Sequence, residues 1–188
     1  RAVNEHVAKD MQETIDGVFK DACERGVEVK SVNPVPENIE GGLDTLEEKA
    51  LGALMKTGKS KISGVLDYAV KPSGPGLYFM NTPFFSSESM TAMAAAGAQV
   101  VLFTTGVGNN IACPLSPTIK ITGNPDTSKL MSEHVDVDVS RNAVPDEDPK
   151  KRRDLLLTEL IRVCNGKLTH AEVLDETDTA ISRIGPSV

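Results

Sequence analysis

No stretch of this chain approaches the roughly 20 consecutive apolar residues that span a bilayer, so nothing in it reads as a membrane segment. Its start also lacks the charged-then-apolar pattern of a secretory signal. Cysteine is scarce. Cys23, Cys113 and Cys164 are odd in number and widely spaced, which argues against a disulfide framework and for reduced thiols in a cytoplasmic protein. Basic charge is in deficit: 20 Lys and Arg stand against 27 Asp and Glu, giving a net charge of −7. That balance argues against nucleic acid or an anionic membrane as a partner. An anionic substrate would need local amide-rich or positive sites working against the global field. There is no CxxC, no HExxH and no clustered set of histidines, so no complete metal site assembles on spacing. A GxGxxG fingerprint is missing too.

What is present is a globular composition. The 188 residues, 39% hydrophobic and 25% charged, suit one soluble domain with a proper core. The chain opens at Arg1, without a methionine and inside a helical pattern, so the expectation is a piece of a longer protein.

Val3, Val7, Met11, Ile15, Val18 and Ala22 recur at helical spacing, predicting an amphipathic helix over 2–24 with Gly26 past its end. Residues 27–32 alternate as a strand. Residues 33–42, with two prolines and two glycines, read as a loop. Thr45 and Glu48 form a capping-box pattern for a helix over 46–56, closed by Gly58. From Gly76 the pattern alternates: a strand to Thr82, a small-residue helix from Ser86 to Ala96, and strands over 99–105 and 118–122. Asn124-Pro125 starts a helix running to about His134, and 135–139 alternates as a strand. A charged loop over 142–150 precedes a long amphipathic helix to Cys164, and Thr169 with Glu172 caps a short last helix. Strands alternating with helices predict an α/β fold with βαβ units and a mostly parallel sheet. The segments group as 1–58, 59–141 and 142–188 of a single domain.

Two polar loops are candidates for chemistry. Phe103-Thr104-Thr105-Gly106-Val107-Gly108-Asn109-Asn110 follows the apolar run 100–103. Hydroxyls and flexible amides where a strand leaves an open α/β sheet mark a ligand-binding edge, and these offer donors to a carboxylate or phosphate. As a plain turn, the same glycines and asparagines would serve backbone geometry. The second is Asn38-Ile39-Glu40-Gly41-Gly42-Leu43-Asp44-Thr45-Leu46-Glu47-Glu48-Lys49. A Gly-Gly turn opening a helix presents free N–H groups to an anion, Glu47 or Glu48 could act as acid or base, and Lys49 could pair a carboxylate. Glutamates in a first helical turn also simply complement the dipole. Cys113 reads either as a soft metal ligand or as a small buried hydrophobe. His134 near a helix end suits a structural role, and His6 and His170 read as surface residues. Lys120 within a strand either snorkels out at an edge or points at a ligand.

These segments carry a resemblance. Residues 38–52 are similar to the G-N-x-x-G-G-L-T-T-I-E-E-K-S/A-L-G motif of the altronate/galactarate dehydratase family. Gly76 to Pro83 resembles its G-L-Y-F-M-D-T-P, Phe103 to Gly108 its F-T-T-G-R-G, and Pro117 to Lys120 its P-x-I-K. The resemblance implies a Rossmann-like C-terminal portion of a longer enzyme, with flanking helices and with the N-terminal part as its partner. It implies a cytoplasmic lyase, a possible homo-oligomer, acting on a small anionic hydroxy acid. Dehydratase members remove water from altronate or galactarate and are associated with Fe2+ or another divalent metal; a close branch, the sulfolactate sulfo-lyases, eliminates sulfite. By motif position, Glu47 and Lys49 take acid–base roles, with Cys113 a weak metal candidate. Asn38, Gly41, Gly42, Thr104, Thr105, Gly106, Gly108, Asn109 and Lys120 line the substrate. Val107 replaces the arginine usual in the dehydratases, Glu37 a glycine and Asp44 a threonine. The stretch 132–140 resembles the sulfo-lyases, while Thr104 and Cys113 follow the altronate type.

Overall fold

The computed structural model describes residues 1–28, 34–40, 42–83 and 85–182. They form two compact units, Arg1–Asn81 and Thr82–Val188, and in both the strands pair in parallel.

In the first unit, helix α1 (Glu5–Glu24) begins where Asn4 accepts a hydrogen bond from the Val7 amide at 3.0 Å. It therefore starts later than the expected residue 2, because Ala2 is taken up in a parallel bridge with Ile62. Pro36–Glu40 form a one-turn helix, α2, where a loop was expected. Pro36 removes a donor that a first helical turn does not use, so it starts this turn rather than breaking it. Helix α3 (Leu46–Lys56) carries the expected capping box of Thr45 and Glu48. Two strands follow, β1 (Ile62–Leu66) and β2 (Leu77–Met80), paired with each other. Strand β1 was not foreseen: Ile-Ser-Gly-Val-Leu is five residues without clean alternation. Of the strand expected over 27–32, residues 27 and 28 have no regular structure and the remainder lies outside the described residues.

The second unit is a three-stranded parallel sheet in the order β3 (Val101–Thr105), β4 (Thr118–Thr122), β5 (Val137–Asp138). Helix α4 (Ser86–Ala95) precedes it. Helix α5 (Pro125–Leu130) joins β4 to β5, capped by Asn124 with Pro125 in the first turn as expected. It ends four residues before His134, and turns at 131–134 leave β5 only two residues long. Helix α6 (Pro149–Cys164) and the short α7 (His170–Val173), with its Thr169–Glu172 capping box, complete the unit. The parallel pairing is thus present, over two short sheets rather than one, but only β4 and β5 are joined through a helix; β1–β2 and β3–β4 are joined by loops, so the expected βαβ alternation is met once.

Strand β4 is buried on both faces. Ile119 and Ile121 pack with Val137 and with Val163 of α6, joined by Leu156 and Leu160. On the opposite face Thr118, Lys120 and Thr122 are almost wholly buried, and each polar group finds a partner. The Thr118 hydroxyl oxygen accepts from the Cys113 amide at 3.3 Å, and that of Thr122 from the Asn124 amide at 3.1 Å. Buried polar groups persist only when satisfied in this way. Met90 of α4, Val101 and Cys113 form the neighbouring apolar cluster, with Phe103 and Ile111 against it. No helix among the described residues is long and apolar enough to cross a membrane.

Candidate functional site

Parallel pairing puts the carboxyl ends of β3, β4 and β5 on one edge, where open α/β sheets bind ligands. The polar loop after β3 sits there and is held in a defined shape. The Thr105 hydroxyl oxygen accepts from the Gly108 amide at 2.9 Å, a side-chain-closed turn. The Gly106 carbonyl accepts from Asn124 Nδ2 at 2.9 Å and from the Thr127 hydroxyl at 2.6 Å, both in the β4–α5 connection and its first turn. Asn109 accepts from the Ile111 amide at 2.9 Å through Oδ1, and its Nδ2 donates to Ser86 Oγ at 3.3 Å. Thr104 and Gly106 are exposed, Thr105 and Asn109 half-buried, and Val107 stands out at the loop tip. Gly108 has φ +97°, and a Cβ there would lie 1.9 Å from Met131 Sδ. The backbone there favours glycine, and any Cβ would displace the Met131 side chain.

The same edge holds Asp138 at the end of β5. Its Oδ2 accepts from the Ser128 hydroxyl at 2.5 Å and its Oδ1 from the Ser140 amide at 2.7 Å. Burial pushes this carboxyl up, but the hydroxyls of Ser128 and Ser140 and the Ser140 amide outweigh it and hold it below the ordinary carboxylate value. The sequence reading missed Asn124 and Thr127 as partners of the loop, and Ser128 and Asp138 as a pair at the same sheet edge. The Asn124-Pro125 cap directly behind a strand was the signal that could have placed the first of them.

Of the two courses expected for Lys120, snorkelling does not occur: it is fully buried, and its Nζ donates to the Asn110 carbonyl at 2.5 Å. Burial lowers its pKa, while the Asp136 and Glu176 carboxylates pull it back up. Cys113 is also buried, its side chain in the apolar cluster with Met90 and Val101. Among the described residues no three or more His, Cys, Asp and Glu side chains group so as to hold a metal ion. The donors described here do not by themselves fit the iron that the resemblance implies.

The second candidate group lies in the first unit. Asn38 of α2 and Lys49 of α3 are brought together: Lys49 Nζ donates to Asn38 Oδ1 at 2.8 Å, and the same oxygen accepts from the Val35 amide at 3.3 Å. Lys49 is half-buried, and burial lowers its pKa. Glu47 is exposed on the first turn of α3, while Glu48 is committed to the capping box. Gly42 has φ +85°, and Gly41 lies outside the described residues.

Comparison with known proteins matches these features to one family. A model described as D-galactarate/Altronate dehydratase, C-terminal, covers residues 1–187. The (2R)-sulfolactate sulfo-lyase subunit beta of Chromohalobacter salexigens is 45% identical over 152 residues, 80% of this chain and 39% of that protein. The altronate dehydratase of Bacillus subtilis is 31% identical over 185 residues, 98% of this chain and 37% of that protein. The galactarate dehydratase (L-threo-forming) of Escherichia coli is 32% identical over 167 residues, 89% of this chain and 32% of that protein. The chain thus spans between about a third and two fifths of the length of these relatives, and it belongs to the D-galactarate/altronate dehydratase family as a C-terminal domain.

Proposed function

We propose that this chain is the C-terminal part of a cytoplasmic hydro-lyase that removes water from a sugar acid of the altronate or galactarate type. The observation that carries this reading is the dehydratase C-terminal match over residues 1–187. In the reaction a base takes the proton α to the carboxylate. The C–H electron pair forms a double bond as the β-hydroxyl leaves with a proton as water, and the resulting enol becomes a 2-keto-3-deoxy acid. Such chemistry needs a base, donors for the charge that develops on the carboxylate, and an acid for the leaving group.

In this reading β3–β4–β5 is a Rossmann-like sheet, and the loop at its carboxyl edge serves the carboxylate. Thr104, Thr105, Gly106, Gly108 and Asn109 contribute hydroxyls and amides, and Lys120 supports them from beneath. The first unit carries its own candidate group, in which the resemblance gives Asn38, Gly41 and Gly42 binding roles and Glu47 and Lys49 acid–base roles. The downward pKa shift of Lys49 supports this, because it brings the amine nearer the range in which a lysine works as a base. Fe2+ or another divalent metal belongs to the proposal through the resemblance alone.

A second reading is favoured by one observation: 45% identity to the sulfo-lyase subunit. There the same α-proton is removed and the β-substituent leaves as sulfite. The test uses the full-length polypeptide with alanine at Glu47, Lys49 and Thr105, each assayed on sugar acids for a 2-keto product and on sulfolactate for sulfite. Loss of general acid–base groups should lower turnover by about 100-fold or more. Turnover that survives all three substitutions overturns this site.

A further inference from the structure

Among the described residues Lys120 is the bulkiest fully buried side chain, and it sits between two isoleucines that form apolar core. A strand that needed only packing would hold an apolar residue there, since an interior ammonium is costly unless paired. Its partners come from three segments separated in sequence, around residues 110, 136 and 176. Nζ donates to the carbonyl of Asn110, the last residue of the candidate loop. Asp136 accepts from the Lys120 amide at 2.7 Å through Oδ2 and from the His170 amide at 2.8 Å through Oδ1. Glu176 stands on a C-terminal strap: its carbonyl accepts from the Ala112 amide at 3.1 Å, and the Asp178 amide donates to the Ala112 carbonyl at 2.9 Å. Farther along, the Ala180 amide donates to the Thr91 hydroxyl of α4 at 3.2 Å. The Glu176 carboxylate lies 2.8 Å from His134 Nδ1.

We propose that Lys120 is a positioning residue: with Asp136 and the Glu176–Asp178 strap it fixes Asn110–Ala112, and through them sets the shape of the anion-binding loop 104–109 without touching the acid. This rests on the reading of the loop given above. The loop supplies its own reporters, because the amides of Gly108, Ile111 and Ala112 are each hydrogen-bonded in the held state. Burial lowers the pKa of the amine, and the Asp136 and Glu176 carboxylates offset part of that, so the clamp has an electrostatic component beside its hydrogen bonds.

Amide hydrogen exchange and steady-state kinetics of the full-length polypeptide test this, comparing the native chain with Lys120→Met and Asp178→Pro. The second variant cuts the strap by removing one exposed donor and leaves the buried charge in place, so it decides the matter if Lys120→Met does not fold. The expected result is exchange about tenfold faster at Gly108, Ile111 and Ala112, with the α6 amides unchanged. KM for the acid should rise about tenfold, with kcat per folded molecule nearly constant. Unchanged loop exchange in the variants that fold, acceleration shared equally by α6, or a loosened loop with unaltered KM would each overturn the proposal. If the native enzyme turns over no hydroxy acid, the functional reading fails by itself, and the exchange data still decide whether Lys120 and the strap hold the loop.

Discussion

At Gly108 two independent constraints meet: a left-handed backbone and a side chain, Met131, where a Cβ would have to go. Met131 is flexible, so it can swing aside, but the backbone strain cannot be relieved. Gly108→Ala should therefore cost about 1–2 kcal/mol in denaturant unfolding, and adding Met131→Ala should recover only the steric part. Full recovery in the double variant would show that the backbone is not strained there. Asp138 gives a pH prediction. Its carboxyl titrates below 3.8 in the folded chain, so the folded state binds fewer protons than the unfolded state in that window. Its stabilisation is present above pH 3.8 and is lost as pH falls through the lower folded value. Asp138→Asn should flatten this acid limb in a series of thermal melts, and an unchanged limb would place the dependence elsewhere. At this scale the sequence shows Lys120 as an oddity within a strand. Its partners at 110, 136 and 176 could not be read, because they are neighbours only through the sheet pairing.

Among the elements, those framed by strong local signals lie where the pattern put them. Thr45–Glu48, Asn124-Pro125 and Thr169–Glu172 all cap helices, since a cap is a contact within four residues and needs no tertiary context. The misses fall where local chemistry is weak. Strand β1 has glycine and serine within its five residues, α2 is one turn with a proline at its start, and α5 stops early although no glycine or proline marks the place. Helix α3 buries none of its residues, with Leu51, Leu54 and Met55 all more than half exposed. Its cap therefore matters for its local helicity, whereas the Thr169 hydroxyl is fully buried in the second unit. Thr45→Ala should cost about 1 kcal/mol or less and fray α3 as seen by amide exchange. Thr169→Ala should cost more, about 1–3 kcal/mol in global stability, because it empties a fully buried position and leaves the half-buried Glu172 amide without its acceptor. Equal losses in the two variants would contradict this ranking.

For the whole molecule, the pattern of parallel strands and helices was legible because it depends on hydrophobic periodicity. The division into two units and two sheets was not, because strand order depends on contacts between distant segments. The family was legible in short motifs at 38–52, 76–83, 103–108 and 117–120, and the match over 1–187 extends it to the chain as a whole. In the proposed reading, the loop at the polar carboxyl edge of β3–β4–β5 binds the carboxylate of the acid. The most direct test supplies altronate, galactarate and sulfolactate in D2O to the full-length polypeptide carrying this chain and follows the products by NMR. The predicted result is a 2-keto-3-deoxy acid from a sugar acid, with deuterium introduced at C3. Release of sulfite from sulfolactate with both sugar acids untouched, or no reaction of any of the three, would contradict it.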